Sequence, residues 1–277
     1  MSLGYHTITW GGVVGSPSGV TSVKDLYYRV DGPMKLAIPD IAEAGYRGVE
    51  MFDGNLLDYA GREQELRDLL RVNAVRLVSV YTGANFIYPD VLPDELHRIR
   101  RAAEFAERFG AGTLAVGGGA RRASGTTEAD YDRLADALNM VVDIAHGHGL
   151  DASFHPHLGT IVEGPDDIAR IMDRCVIGFC PDTAHLAAAG GDPAELIRRY
   201  ADRVNHVHLK DLRRDPVVFL PLGKGELDFA GVLAALREIG YHRWVIVELD
   251  YYDGDPKDAA VISKSYLDSC SDWSLLR

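Results

Sequence analysis

Histidines and acids gather at a few places in this chain. His155-Pro156-His157, Asp182-Thr183-Ala184-His185, His206-Val207-His208-Leu209-Lys210-Asp211 and Glu248-Leu249-Asp250 follow one another in its second half, and Glu50 stands in the first. Imidazole nitrogens and carboxylate oxygens offered together, without a thiolate, make a donor set for one divalent cation. Mn, Co, Fe, Mg and Zn all suit it and spacing does not choose among them, with manganese the leading expectation. Singly, each of these residues could be solvated charge. As a set, His155, Asp182, His208 and Glu248 resist that reading, because converging like charges need a cation between them. His157 is the alternative to His155, and His185 is either a further metal candidate or a substrate contact. A neutral histidine titrates near physiological pH, so His157 or His185 can serve as a base without a large pKa shift. Lys210 can donate to an oxyanion or leaving group, and Glu50 can bind a substrate hydroxyl or take a proton. Structural roles compete: Lys210 with Asp211 as partner, Glu50 with Arg47 or Tyr5, and His206 as a packed, satisfied histidine.

Such groups need a scaffold that delivers strand ends to one place. The chain repeats a single pattern, an amphipathic helix, a glycine and a short β-branched run, as in Ala42-Glu-Ala-Gly45 before Tyr46–Glu50 and Arg237-Glu-Ile-Gly240 before Trp244–Glu248. Glycine just past a helix supplies the left-handed closing residue. Asp192-Pro193-Ala-Glu195 and Asp255-Pro256 read as helix starts, and apolar residues at 131, 134, 135, 138, 141, 142 and 145 fall on one helical face. Eight strands are expected near 3–8, 47–50, 76–80, 113–117, 150–155, 176–180, 204–208 and 244–248. Strand–helix alternation without a composition break predicts one α/β domain over residues 1–277, a single (β/α)8 TIM barrel. The glycine-rich run Gly11–Gly15 lacks the dinucleotide-binding spacing. In such a barrel the strand ends named above form the active face. Alternation puts His155 with His157, His206 with His208, and Glu248 with Asp250.

Composition narrows the classes further. Of 277 residues, 47% are hydrophobic, and 29 basic against 41 acidic residues leave a net charge of −12, a poor start for gripping nucleic acid. Three cysteines without zinc or disulfide spacing, no leader-like start and no membrane-length apolar run predict a cytoplasmic protein. Gly117–Gly119 reads as a tight loop, Arg121-Arg122 as solvated charge or an anion site, and Pro216–Pro221 as a lid or contact surface.

The runs His155-Pro-His-Leu-Gly-Thr160, Asp182-Thr-Ala-His185, Gly190-Gly-Asp-Pro193, His206-Val-His-Leu-Lys-Asp211 and Glu248 together resemble the xylose-isomerase-like barrel superfamily, and within it the inosose dehydratases. The resemblance spans nearly the whole chain and is densest from 150 to 250. The opening Gly4–Gly12 and Phe52-Asp-Gly-Asn55 are similar to the barrel subunits of carbon-glycoside deglycosidases. The resemblance implies a metal held by residues of the last four strands, here His155, Asp182, His208 and Glu248. The superfamily's first ligand is usually glutamate, and this chain has His155 there. It also implies a lyase that removes a proton beside a ketone and expels water or an aglycone from a keto-sugar, keto-glycoside or keto-cyclitol. The alternative is a keto-sugar isomerase or epimerase. A DNA endonuclease is disfavoured by the acidic charge, and a sugar sensor on a dead barrel would lack turnover. His6 joins the aromatic residues Tyr5, Trp10, Phe52 and Tyr81 as the expected substrate-binding set, with Phe86 and Tyr88 nearby. The expected assembly is a homo-oligomer, or a hetero-oligomer with a small partner subunit.

Overall fold

Ten strands carry the architecture of the computed structural model, which describes residues 1–11, 27–271 and 273. They are β1 (Ser2–His6), β2 (Gly48–Phe52), β3 (Arg76–Ala84), β4 (Thr113–Gly118), β5 (Asp151–Phe154), β6 (Gly178–Phe179), β7 (Val207–Leu209), β8 (Asp211–Arg213), β9 (Val218–Leu220) and β10 (Trp244–Val247). Eight of them form one parallel sheet in the order β6-β5-β4-β3-β2-β1-β10-β7. Parallel bridges Phe179–Val204 and Asp182–His208 then join its two edges, so the sheet closes on itself. This is the expected TIM barrel, with helices in the crossovers.

The helix signals in the sequence act as read. Residues 131, 134, 135, 138, 141, 142 and 145 are all buried on the helix Glu128–Gly147. Asp192 caps Pro193–Arg199 through the amides of Ala194 and Glu195. Gly45 and Gly149 close their helices at φ 96° and 69°, a region an L side chain resists.

Several boundaries differ from expectation, each for a local reason. The first strand stops at His6, because His6 Nδ1 accepts the Ile8 amide at 2.9 Å and turns the chain into a 3-10 helix, Thr7–Trp10. The sixth strand shrinks to two residues, since Asp182 begins the helix Thr183–Ala188. Gly117 and Gly118 belong to β4 rather than to a loop. Arg121 pairs with Glu163 and Arg122 with Asp130, so neither is a vacant anion site. The segment 216–221 is no plain loop: β8 and β9 form an antiparallel hairpin. Gly12–Gly15 of the glycine-rich run lie outside the described residues.

Candidate metal centre

Inward-facing side chains near the carboxyl ends of the strands meet on the barrel axis. His155 follows β5, Asp182 follows β6, His208 lies in β7 and Glu248 follows β10. One ligand atom from each lies within 4.8 Å of the others, and all four residues are buried. His157 is not among them, so the geometry favours His155 of the two candidates.

Local structure aims each group. Asp182 is the N-cap of its helix, and Oδ1 accepts the amides of Ala184 and His185, both at 2.9 Å. Its other oxygen, Oδ2, is left facing His155 Nε2 at 3.5 Å and Lys210 Nζ at 3.4 Å. His208 presents Nδ1 to Glu248 Oε2 at 2.6 Å and Nε2 to Glu50 Oε1 at 2.9 Å. Glu50 holds His206 Nε2 with its second oxygen at 2.7 Å. It therefore lies behind His208 in ion-pair contact while hydrogen-bonding His206, and its partners are His208 and His206 rather than Arg47 or Tyr5.

The quartet is incomplete by itself. Both ring nitrogens of His155 and of His208, Asp182 Oδ2 and Glu248 Oε2 are buried without a hydrogen bond of acceptable geometry. Orphaned groups of that kind are costly unless something else satisfies them. Converging on one point, with two carboxylates and two imidazoles, they fit a divalent cation. Cys180 forms a second cluster with His206 and His208. Burial pushes its thiol up to about 11, so it remains a neutral neighbour.

Beside the quartet, the rings of His157 and His185 lie with centres 3.8 Å apart and planes tilted by 38°. His157 Nδ1 lies 2.6 Å from the Leu158 carbonyl, an acceptor only, so that nitrogen carries the proton and Nε2 keeps its lone pair. His185 Nε2 lies 3.2 Å from the Lys210 ammonium, a donor only, so its proton sits on Nδ1. Burial lowers the pKa of both rings; His155 and Lys210 add to the effect on His157, and His157 and Lys210 to that on His185. Both are therefore neutral imidazoles at neutral pH.

Burial works against charge on Lys210, but Asp182, Asp250 and Glu248 overcome it and raise its pKa. It contacts Glu248 at 2.6 Å and Asp250 at 3.1 Å. The expected Lys210–Asp211 pairing is not formed, because adjacent residues of an extended chain point to opposite faces. Asp211 instead accepts the amides of Leu212, Gly223, Gly225 and Leu227, fixing the loop that carries the β8–β9 hairpin. Phe219 of that hairpin lies edge-on to His185 at 4.8 Å.

The aromatic expectation divides in two. His6, Phe52 and Tyr81 form a wall by the quartet: His6–Phe52 4.6 Å, Phe52–Tyr81 5.4 Å and Tyr81–His155 5.4 Å. Tyr28, unmarked by any sequence pattern, stacks on Phe52 at 5.5 Å. Tyr5 and Trp10 are not brought to this wall. Tyr5 packs with Trp10 and Tyr46, and Trp10 donates to Asp40 of the helix Met34–Glu43. Phe86 is held by Glu95 through its amide, and Tyr88 lies under Arg122.

Comparison with known proteins adds the following. Residues 38–270 match the family described as xylose isomerase-like TIM barrel. Inosose dehydratase of Geobacillus kaustophilus (strain HTA426) is 31% identical over 266 residues, covering 83% of this chain and 85% of that protein. A solved D-allulose 3-epimerase from Methylomonas sp., in complex with D-allulose, superposes with a TM-score of 0.75 at 20% identity, covering 97% of this chain and 96% of the other. A probable 3-DHS dehydratase from Bacillus anthracis gives a TM-score of 0.73 at 13% identity, covering 97% and 99%. At those identities the two structures speak for the fold.

Proposed function

We propose that this chain, which belongs to the xylose isomerase-like TIM barrel family, is a divalent-metal-dependent lyase that removes water from a keto-cyclitol or a similar keto-sugar. The observation that carries the reading is the meeting of His155, Asp182, His208 and Glu248 beside a pair of neutral imidazoles. The relatives named inosose dehydratase supply the reaction class.

His155, Asp182, His208 and Glu248 would hold the ion, and we assign manganese to this mixed nitrogen and oxygen set. When bound, a divalent ion polarises a ketone oxygen and steadies the negative charge that develops there, a contribution of several kcal/mol. His157 takes the neighbouring C–H proton at Nε2, whose lone pair is free because Nδ1 is committed to Leu158. The electrons of that bond become the new carbon–carbon π bond as the adjacent hydroxyl departs. His157 returns its proton to that hydroxyl, which leaves as water, and the protein ends in its starting state. A positioned base of this kind is worth ~10²–10⁴-fold in rate. His185 offers its Nδ1–H to substrate oxygens, while His6, Phe52, Tyr81 and Tyr28 give the apolar side of a sugar ring a surface to lie on. An imidazole rather than a carboxylate at position 155 favours elimination over epimerisation, which returns the proton to carbon.

The test is to incubate the purified protein and manganese with keto-inositol, and separately with 3-keto glycosides, and to weigh the products. Loss of one water from keto-inositol, stopped by a chelator and restored by manganese, is expected. Release of an aglycone would instead identify a glycoside-cleaving lyase. A product of unchanged mass would mean an isomerase or epimerase, and inertness with Mn, Co, Mg, Fe and Zn alike would end the enzymatic reading.

A further inference from the structure

We propose that Lys210 is a built-in cation. Its ammonium fills the position a second divalent ion would otherwise occupy, and this limits the centre to one metal. The inference rests on the metal reading above and concerns how many ions the centre accepts.

Lys210 reaches into the barrel from the end of β7 with none of its surface exposed. Four acceptors surround Nζ: Glu248 Oε1 at 2.6 Å, Asp250 Oδ2 at 3.1 Å, His185 Nε2 at 3.2 Å and Asp182 Oδ2 at 3.4 Å. The ring of Phe219 lies 4.9 Å away on a further side. An ammonium has only three protons to offer, so the shell is richer in donors of electron pairs than a lysine requires. Three of these residues, His185, Glu248 and Asp250, bring ligand atoms within 4.8 Å of one another, a spacing that suits a metal ion.

This shell and the metal quartet share two carboxylates. Glu248 turns Oε1 to Lys210 and Oε2 to His208, and Asp182 Oδ2 stands between His155 and Lys210. Shared carboxylates between adjacent cation positions are the layout of a two-metal site. Here one position holds a tethered ammonium. The ammonium offsets one of the three carboxylates around it, and one divalent ion would offset the other two. The substitution matters chemically. A second metal would bring an open coordination position and an activated water, whereas an ammonium supplies positive charge and N–H donors without creating a hydroxide nucleophile. That suits elimination better than hydrolysis.

Manganese titration followed by elemental analysis and electron paramagnetic resonance tests this on the intact chain. The native protein should saturate at one ion, with the spectrum of an isolated manganese. Lys210→Ala opens the position and should double the count to two ions, with a spin-coupled spectrum. Lys210→Met keeps the space filled without charge and should stay at one. Two ions in the native protein, or one in Lys210→Ala, would overturn the proposal. No ion in the native protein would sink the metal reading itself, a separate outcome. Should Lys210→Ala not fold without metal, manganese must restore its far-ultraviolet circular dichroism with two ions bound; failure to do so also overturns the proposal.

Discussion

At the scale of single residues, neighbouring imidazoles gain distinct roles from the kind of partner each one has. A carbonyl fixes the proton on His157 Nδ1, and an ammonium fixes it on His185 Nδ1, so neighbouring rings present a lone pair and a donor. His157→Ala should therefore retain bound metal while turnover falls ~10²–10⁴-fold. Asp182→Ala and His208→Ala should lose both. Metal content by elemental analysis beside the turnover rate separates these cases, and an empty centre in His157→Ala would show that ligand and base had been exchanged. The runs of histidine and acid at the strand ends were legible in the sequence. Alternation puts His155 with His157 and Glu248 with Asp250 on one face, so the resemblance and not the period singled out His155, Asp182, His208 and Glu248. Depth along the barrel axis is not written in that period. Glu50 therefore read as a substrate group, although its carboxylate lies behind His208, and Asp250, two residues past Glu248, passed without a role. Tyr28 and Phe219 reach the site from loops and a hairpin, where no periodicity announces them.

Among the elements, helix starts do more than begin helices. Asp182 caps one with Oδ1 and leaves Oδ2 facing the quartet, so the bend that ends β6 is also what orients a candidate ligand. Asp130 shows the purely structural counterpart. It completes a capping box with Thr127 at the start of Glu128–Gly147 and also accepts from Arg122 at 2.9 Å. Burial opposes its charge, but Arg122 and Thr127 outweigh it and lower its pKa to about 2. A carboxylate depressed in the folded state adds stability above its unfolded pKa of about 4, and that stability fades as pH drops through the folded value. Asp130 should thus contribute up to about 2 kcal/mol at pH 7, lost between roughly pH 4 and pH 2. Urea unfolding across that range should show a shallower pH dependence in Asp130→Asn; an unchanged slope would remove Asp130 from the account. Capping residues and closing glycines were plain in the sequence because their signals are local. The β8–β9 hairpin was not, since contacts distant in sequence help to define it: Asp211 gathers the amides of Gly223, Gly225 and Leu227.

Taken whole, the molecule is an acidic barrel that buries Glu50, Asp182, Lys210 and Glu248 together. Among the described residues no helix is long and apolar enough to cross a membrane. A ligand that binds only the folded chain adds about 2.7 kcal/mol at a hundredfold excess over its Kd. Each kcal/mol moves the melting point of a chain this size by roughly 2–4 °C. Saturating manganese should accordingly raise Tm by about 5–10 °C, and a chelator should reverse the gain; a Tm indifferent to both would mean that no ion is held. The bridges that close the sheet carry one more implication. Asp182 and His208 are partners across the junction of β6 and β7, where the His208 amide bonds to the Pro181 carbonyl at 3.0 Å. A cation gripping both side chains would clasp the stave ends of the cask, tying catalysis to the tightness of the hoop. Deuterium uptake at the amides of Asn205 and His208 should slow when manganese is added, while amides between β3 and β4 keep their pace.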